Sequence, residues 1–593
     1  MTDAPREYQQ RLAAHAQKLQ HIERLHLRIG NIQIGLATLA VAGAVLALGW
    51  KAFSILWALV PIVAIVVLAV VHERVLGRRT RSRRVVAFYE RALERVQDRW
   101  AGKGETGNRF LDPLHPYAGD LDLFGEGSLF EYLSTARTRG GEETLARWLL
   151  SPSEPEDLKI RHEAVRELTS KLDLREQLAV LGEDIRVGVN PEALAAWGDE
   201  PPRLVSRGGR VCAAVLSVLG IGTLALWIGA GVAAPFVAVF VLARVFTFRL
   251  RRDLEHAIAA VERPSHDLRL LAQVLVVLER QRFSSQRLAE LQSGLVIDGQ
   301  PPSLRIARLY RLLDWLNSRD NIVLRIIDPI VLWTVHMSFA IEAWRRKSGP
   351  HLREWLDAVG EMEALLSLAG YRFEHPADPF PEFTEESPCF DGEQLGHPLL
   401  PDARSVRNDL RLDGGLRVLV VSGSNMSGKS TLLRTLGTNA VLAMAGAPVR
   451  ATRLRLSRLA IGASIRTMDS LQSGTSRFYA EITRLRQLVE LTGQSRPLLF
   501  VLDELLHGTN SHDRGIGAQG VIQGLVARGA VGVLTTHDLA LAKIADTLAP
   551  LGANAHFQDQ VEDGRMRFDY RLRPGVVEHS NALELMRSVG LEV

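Results

Sequence analysis

Two long uncharged stretches stand out in the pattern of hydrophobic and polar positions along this chain of 593 residues. In the first, residues 29–71, Lys51 is the only charged side chain, and the second, residues 211–243, contains none. A membrane-spanning helix needs about 20 consecutive apolar residues. The first run therefore predicts two spans joined by a turn near Trp50, and the second predicts either a tight helical hairpin or a single long span.

Arginines on both sides of both runs predict how the runs are oriented. Arg24 and Arg28 precede the first run and further arginines follow it between residues 74 and 84, while residues 203–210 and 244–252 flank the second run similarly. Because cytoplasmic loops carry an excess of Lys and Arg, both runs are expected to start and end in the cytoplasm, as two hairpins with four spans. Transport pathways need ionisable groups inside the membrane, so these spans predict a lipid-bilayer anchor in the cytoplasmic membrane. The alternative is that both runs are core helices of a soluble protein.

Residues 423–430, Gly-Ser-Asn-Met-Ser-Gly-Lys-Ser, match the phosphate-loop pattern GxxxxGK[ST]. An apolar run of β type (418–421) precedes them and an apolar-periodic helix (431–441) follows, which is the strand–loop–helix context that the motif requires. Lys429 is expected to reach the outer phosphates of ATP, and the Ser430 hydroxyl is expected to ligate Mg²⁺. The candidate nucleotide-binding residues are Gly423, Ser424, Asn425, Met426, Ser427, Gly428, Lys429, Ser430 and Thr431.

Two later strands carry the remaining candidates for catalysis. A run at 498–502 ends in Asp503 and Glu504, and a run at 531–534 leads to His537. Asp503 is expected to hold the Mg²⁺ shell together with Ser430, and Glu504 is expected to orient or deprotonate the attacking water. His537 lies where a sensor of the γ-phosphate is expected. Each signal alone has a structural explanation, but their order and spacing predict a magnesium-dependent ATP hydrolase.

Several segments around these residues share a second pattern. They are Gly396-His397-Pro398, Asn425-Met426, the signature segment from Asp469 through Ser473, Gly474, Ser476 and Phe478 to Glu481, Gly508-Thr509, Thr536-His537, and Phe568-x-Tyr570. Together they resemble the MutS family of DNA mismatch-repair ATPases, and segments between 120 and 168 resemble the start of its helical core. The resemblance implies DNA as a partner and a homodimer in which Ser476 faces, in trans, the γ-phosphate held by Lys429 of the other subunit.

The chain also departs from that family. Arg477, Ser424, Ser427 and Asn510 replace residues that are usual there, although no metal ligand is lost. No segment before residue 110 is expected to hold the mismatch-recognition domain. The sequence Phe88-Tyr89-Glu90 spells the mismatch-probing motif of the family, but its basic helical surroundings predict an amphipathic helix.

Composition does not decide whether DNA is bound. The net charge is only +4, and much of the arginine flanks the predicted spans. Arginine clusters at 305–311 and 453–458 are candidate DNA contacts, with solvated helix faces and ordinary ion pairs as the alternative. Two cysteines, Cys212 and Cys389, are too few for a disulfide framework and fit a reducing cytoplasm.

The predicted architecture is multidomain, with an α-helical core and lever, transmembrane hairpins, and a C-terminal α/β P-loop ATPase. A third apolar stretch, residues 322–340, is interpreted as a buried lever helix with a kink at Pro329. The predicted regions are an N-terminal helix (1–28), a first hairpin (29–72), a basic helix and linker (73–109), the beginning of the helical core (110–205), a second hairpin (206–248), the remaining core and lever helices (249–389) and the ATPase domain (390–593).

The leading hypothesis is a membrane-anchored MutS-like ATPase that binds mismatched or branched DNA and opens and closes a dimer clamp with its ATP cycle. One alternative is an ABC-type transporter, but Ser473-Gly-Thr-Ser476 is not the Leu-Ser-Gly-Gly-Gln signature of that class. The other is a membrane scaffold driven by ATP-dependent dimerisation, without DNA.

Overall fold

Up to Glu374 the longer elements of the described chain are helices, and the strands follow together with four further helices. The computed structural model describes residues 3–49, 59–188, 190–204, 206–317, 322–386, 388–424, 426–465, 477–493, 495–507, 509–562 and 565–577. The helices are α1 Ala4–Gly49, α2 Leu59–Val96, α3 Leu129–Leu133, α4 Arg139–Leu150, α5 Pro155–Thr169, α6 Leu172–Gly188, α7 Pro191–Asp199, α8 Arg207–Ala230, α9 Ala234–Glu279, α10 Gln286–Gly294, α11 Pro302–Asn317, α12 Ile322–Val331, α13 Trp333–Ser348, α14 Leu352–Glu374, α15 Lys429–Ala445, α16 Arg477–Leu491, α17 Ser511–Ala527 and α18 Leu539–Thr547. The strands are β1 Glu382–Phe383, β2 Phe390–Leu395, β3 Asn408–Leu412, β4 Val418–Ser422, β5 Arg453–Leu456, β6 Ala460–Ser464, β7 Leu498–Asp503, β8 Val531–Thr536, β9 Gly552–Glu562 and β10 Arg565–Pro574.

The chain divides into two compact units. The first comprises residues 1–134, 146–172 and 367–593, and the second comprises residues 135–145 and 173–366. The first unit therefore contains α1, α2 and all the strands, whereas the second contains the helices from α7 to α13.

In the first unit, α1 and α2 form a long antiparallel pair. Tyr8 packs against Tyr89 near one end, and His26 is hydrogen-bonded to His72 farther along. The change in composition predicts a separate helix over 1–28 and a separate basic helix after residue 72, but each is continuous with the neighbouring arm of the hairpin. The reason is that α1 has no proline after its first turn, and a change from polar to apolar composition does not by itself end a helix.

Three helices of the described chain are long and apolar enough to cross a membrane, namely Ala4–Leu46, Val60–Val96 and Arg207–Ala230. Their apolar side chains are largely exposed, as in Ile34 (68 %) and Val218 (69 %), which disfavours the interpretation as soluble core helices. The expected fourth span is missing from this set. A fourth arises only if the bent pair Arg325–Val331 and Trp333–Glu374, at 71°, counts as one span.

In the second unit, the run 211–243 forms two helices, α8 and α9, which break at Gly231 in the left-handed region (φ 73°). The structure thus has the hairpin rather than one long helix. However, α9 has only ten uncharged residues before Arg244, too few for a span of about 20 residues.

The interpretation of residues 322–340 as a buried helix kinked at Pro329 is wrong in two respects. Pro329 lies inside α12, and the break comes at Leu332, whose backbone is left-handed (φ 49°). Ile326 is 69 % exposed, so α12 is not buried, whereas Val335 and Phe339 in the α13 part of the stretch are buried as predicted. It packs on α8 instead: Ser217 donates a hydrogen bond to the carbonyl of Val331 (2.9 Å), and a Cβ at Gly220 would lie 2.9 Å from the carbonyl oxygen of Ile330.

The C-terminal region of the first unit contains two sheets. The six-stranded sheet has the order β10-β9-β4-β8-β7-β6, in which only β10 is antiparallel to its neighbour, and the other sheet has the order β1-β5-β2-β3. The central strands β4, β7 and β8 are buried on both faces, as expected for a parallel sheet covered by helices. In register, Ser422 pairs with Thr536 and Asp503 with Thr535, so the carboxyl ends of three strands meet at one edge.

Candidate active site

The loop between β4 and α15 wraps around the amino group of Lys429. That group is buried, and it donates hydrogen bonds to the carbonyl oxygens of Gly423 (2.6 Å) and Ser424 (3.1 Å). Burial lowers the pKa of Lys429, while the carboxylates of Glu504 and Asp503 oppose this shift. Phosphate oxygens offer this amino group the same type of acceptor as the two carbonyls, with full negative charge.

Gly428 makes the turn from the loop into α15. Its backbone is left-handed (φ 102°), and a Cβ there would lie 3.0 Å from the ring of Tyr570. A side chain at this position would therefore be strained and crowded. The following helix starts at Lys429 with its free N–H groups at the loop, which is the arrangement that favours anions.

Asp503, at the end of β7, accepts hydrogen bonds on both carboxylate oxygens. Ser430 Oγ lies 2.6 Å from Oδ2, and the hydroxyl of Thr535 on β8 donates to Oδ1. Thr535 fixes the carboxylate through the register of β7 and β8, and sequence reasoning missed it because that register is not visible in the chain. Ser430 and Asp503 offer the oxygen ligands that Mg²⁺ prefers.

The loop borders a cavity of about 870 Å³. His397, Phe557 and Tyr570 contribute to its walls, and Thr431 lines it from the first turn of α15. Burial, with a smaller contribution from Arg434, lowers the pKa of His397 to about 4, so this side chain is neutral at pH 7. The volume and the mixed polar and aromatic lining suit a nucleotide.

Two buried hydroxyls test whether the loop fits a phosphate chain. Oγ of Ser424 and Oγ of Ser427 have no hydrogen-bond partner within the described chain. A buried hydroxyl without a partner is costly, and phosphate oxygens would satisfy both groups. Met426 follows Asn425 in the loop and is 85 % exposed. Asn425 and Ser476 lie outside the described residues.

Glu504 is held at a strained turn directly after β7. Its φ is 48° and that of Leu506 is 55°, which is unfavourable for residues with side chains of this size. His537 Nδ1 lies 2.9 Å from Glu504 Oε1, and His507 Nε2 lies 3.1 Å from Oε2. Burial raises the pKa of Glu504, but the hydrogen bond to His537 and the nearby positive charges outweigh it and hold the pKa below the ordinary value.

Glu481 supports this turn from α16. Its carboxylate is buried and accepts a hydrogen bond of 2.5 Å from the backbone N–H of Leu506. Phe478 and Glu481 both lie near the start of α16. The sequence marks Glu481 only as a member of the signature segment, and its role as a brace for the strained turn comes from the structure.

Most of the candidate DNA contacts are engaged within the protein, whereas Arg308 and Arg311 are exposed. Phe88 and Tyr89 are buried, which agrees with the packed amphipathic helix predicted for them. Arg305 is buried and binds the carbonyl of Ile297 (2.5 Å). The arginines of the second cluster form ion pairs: Arg453 with Glu382 and Glu393, Arg455 with Glu386, and Arg458 with Glu154.

A comparison with protein families bears on the same region. The family model described as MutS domain V matches residues 419–592, which contain the loop, Asp503, Glu504 and His537. The C-terminal region of the chain is therefore similar to the MutS family. The resemblance seen in the motifs is thus confirmed for the C-terminal region.

Individual relatives match this chain over 201 to 247 residues, a length similar to that of the family match. The chain is 36 % identical over 204 residues to the endonuclease MutS2 of Thermus thermophilus, covering 33 % of this chain and 25 % of the relative. It is 34 % identical over 201 residues to the DNA mismatch repair protein MutS of an Exiguobacterium species, covering 32 % and 23 %. A third relative, the endonuclease MutS2 of Pelotomaculum thermopropionicum, is 30 % identical over 247 residues, covering 40 % and 29 %. The matches thus span about a quarter of the length of these relatives.

Proposed function

We propose that this chain is a membrane-anchored MutS-like ATPase that uses Mg²⁺ and works as a homodimer on mismatched or branched DNA. The observation that carries the ATPase is the meeting of Lys429, Ser430, Asp503 and Glu504 at the carboxyl edge of one parallel sheet. In open α/β sheets this edge is where ligands bind.

The residues of this edge have complementary roles in hydrolysis. Lys429 exchanges its carbonyl partners for the outer phosphates. Ser430 and Asp503 would hold Mg²⁺, which would neutralise phosphate charge when bound. Glu504 orients the attacking water and accepts its proton, since its lowered pKa keeps it ionised at neutral pH. His537 holds Glu504 Oε1 and senses the γ-phosphate. Ser476 of the second subunit completes the site in trans.

The exposed apolar surfaces of α1, α2 and α8 support the membrane anchor. Contiguous apolar surface of this extent is costly in water and favourable in lipid. The flanking arginines support an orientation with the N-terminus, the helical core and the ATPase domain in the cytoplasm. The proposed domain layout keeps the boundaries predicted from the sequence, with α1 and α2 extending beyond the membrane.

DNA as the partner rests on the family. The relatives are named for endonuclease and DNA mismatch repair activity, and the match covers the region of MutS domain V. A second candidate is a membrane scaffold that retains the ATPase without DNA. The ion pairing of the arginines at 453–458 favours this second candidate.

The experiment that tests the proposal is ATP hydrolysis by the detergent-purified protein, without DNA and with plain, mismatched or branched duplex. We expect turnover that depends on Glu504 and is stimulated by one of the DNA structures. Lys429→Ala should abolish nucleotide binding, whereas Glu504→Gln should keep binding, stop turnover and trap a dimer.

Each outcome distinguishes one element of the proposal. Unchanged ATP affinity in Lys429→Ala would refute the loop assignment, and normal turnover in Glu504→Gln would remove its catalytic role. Glu504-dependent turnover that ignores every DNA structure would favour the scaffold.

A further inference from the structure

We propose that Glu504, His507 and His537 form a binding site for a Zn²⁺-class transition metal ion, and that occupation of this site inhibits hydrolysis. The inference rests on the proposed function, because inhibition follows from withdrawing Glu504 from the attacking water. The hydrolysis proposed above assigns the His507 side chain no contact with water or nucleotide, so its position beside Glu504 needs an explanation of its own.

The three side chains converge on one point. His537 Nδ1 and His507 Nε2 contact opposite oxygens of the Glu504 carboxylate, at 2.9 and 3.1 Å. One ligand atom from each residue lies within 4.8 Å of the other two. In tetrahedral zinc sites with bonds of about 2.0–2.2 Å, ligand atoms are separated by roughly 3.3–3.6 Å. Small side-chain rotations therefore bring all three into the coordination shell of one ion.

The ligand types select the metal. Two imidazoles and one carboxylate are the ligands of catalytic zinc sites, which keep a fourth position open. Imidazole suits Zn²⁺, Co²⁺, Ni²⁺ and Cu²⁺, whereas Mg²⁺ prefers oxygen ligands. Ser430 and Asp503 supply that oxygen set at the same edge of the sheet, so the two ions use different residues.

Access and charge make this site suited to reversible occupation. The side chains of His507 and His537 are 41 % and 39 % exposed, so an ion reaches them from solvent. The amino group of Lys429 lies 3.8 Å from Glu504 Oε1 and repels a cation. We therefore expect weaker binding than in a structural zinc site, and metal competes with the hydrogen bond between Glu504 and His537.

The first test measures binding without hydrolysis. Co²⁺ is added to the nucleotide-free, detergent-purified protein, and its visible absorption reports tetrahedral coordination. A Cys212→Ser background is used because the exposed thiol of Cys212 is itself a metal ligand. We expect Co²⁺ to produce absorption bands that Zn²⁺ abolishes. His507→Gln should lower the affinity for Co²⁺ by about tenfold or more. The control His512→Gln should retain the bands. Absence of the bands in the parent protein, or equal affinity in His507→Gln, would overturn the site.

The second test measures inhibition of ATP hydrolysis by Zn²⁺ at saturating Mg²⁺, relative to the zinc-free rate of each variant. We expect His507→Gln to need about tenfold more Zn²⁺ or more for half-inhibition than His512→Gln. Equal sensitivity would overturn the inhibitory role. A protein that binds Co²⁺ but shows no Glu504-dependent hydrolysis would refute the proposed function instead, so the two failures are distinguishable.

Discussion

The guanidinium of Arg95 on α2 holds the carboxylate of Glu374, the last residue of α14, through hydrogen bonds of 2.6 and 3.1 Å. The Glu374 side chain is only 3 % exposed, and the hydroxyl of Tyr8 on α1 donates a third bond to it (3.1 Å). Both helices of the N-terminal pair thus meet at one carboxylate. His375, next in the chain, contacts Arg450 (3.0 Å), which precedes β5.

We expect Arg95→Met to loosen the base of the α1–α2 pair, because it leaves a buried carboxylate without its cation, at a cost of about 3–5 kcal/mol. Amide hydrogen exchange of residues 85–96 in the detergent-purified protein measures this local opening. Replacing both partners, as in Arg95→Met with Glu374→Met, should restore most of the protection. The exposed pair of Arg251 and Glu255 supplies the control, since Glu255→Gln should change exchange little.

We expect Ser430→Ala to raise the Mg²⁺ concentration needed for half-maximal ATP hydrolysis by about tenfold, because it removes both a metal ligand and the hydrogen bond that holds Asp503. Ser430→Thr keeps the hydroxyl and should behave like the parent protein. A titration with Mg²⁺ at fixed ATP measures the difference. Identical titrations for the Ala and Thr variants would exclude the proposed metal role of Ser430.

We expect Glu481→Ala to lower kcat while ATP affinity is kept. The loss of the bond to the Leu506 N–H releases the strained turn that positions Glu504, and small misplacements of a catalytic group cost about 100-fold. Glu490→Ala, at an exposed position of the same helix, is the control. Separate measurements of nucleotide binding and single-turnover hydrolysis check the prediction, and a fall in affinity with unchanged kcat would contradict it.

We expect His537→Gln to shift the acidic limb of the pH profile of kcat to higher pH. A base must be ionised, and a lowered pKa keeps Glu504 ionised until the pH falls through that lowered value. Burial raises the pKa of Glu504, and the contact to His537 opposes this effect. Without that contact the pKa rises, so Glu504 is protonated at a higher pH. The profiles are normalised to their maxima, with His512→Gln as control. An unshifted limb would show that His537 does not tune Glu504.

We expect that replacing residues 29–72 and 211–243 by short Gly-Ser linkers releases the protein from membranes, because these segments hold most of the exposed apolar surface. Carbonate extraction followed by sedimentation measures membrane attachment. Replacement of either segment alone should leave the protein attached. A parent protein that is soluble without detergent would refute the anchor.

Three strands of the ATPase region, β4, β7 and β8, are well predicted because buried parallel strands are short, apolar and bounded by polar residues. The predicted strands at 418–421 and 498–502 are each one residue shorter than β4 and β7. Their pairing is not predictable in this way. Thr535 acts on Asp503 only because β7 and β8 are adjacent in register, and adjacency depends on the three-dimensional order of the strands.

Helix limits are predicted less well because a change in composition is not a change in backbone. Residues 1–28 and 29–49 differ in polarity, yet α1 passes through both. Pro329 indicates a kink, but the missing N–H of a proline affects the turn before it, and the helix breaks later, at Leu332. The position of His507 beside Glu504 is also not predictable from the sequence. It depends on a turn in which Glu504 and Leu506 are left-handed, and such turns are normally recognised by glycines.

The continuity of α1 fixes a distance as well as an attachment. Between Tyr8 and Ile29 the helix is uninterrupted and about 32 Å long at 1.5 Å per residue. If the bilayer starts at Ile29, the contact of Tyr8 with Glu374 is held about that far from the lipid, measured along the helix axis. The helix pair is then a rigid spacer between the membrane surface and the segment that leads from Glu374 into the sheets. The length of the pair sets the distance from the membrane at which a ligand can contact that segment.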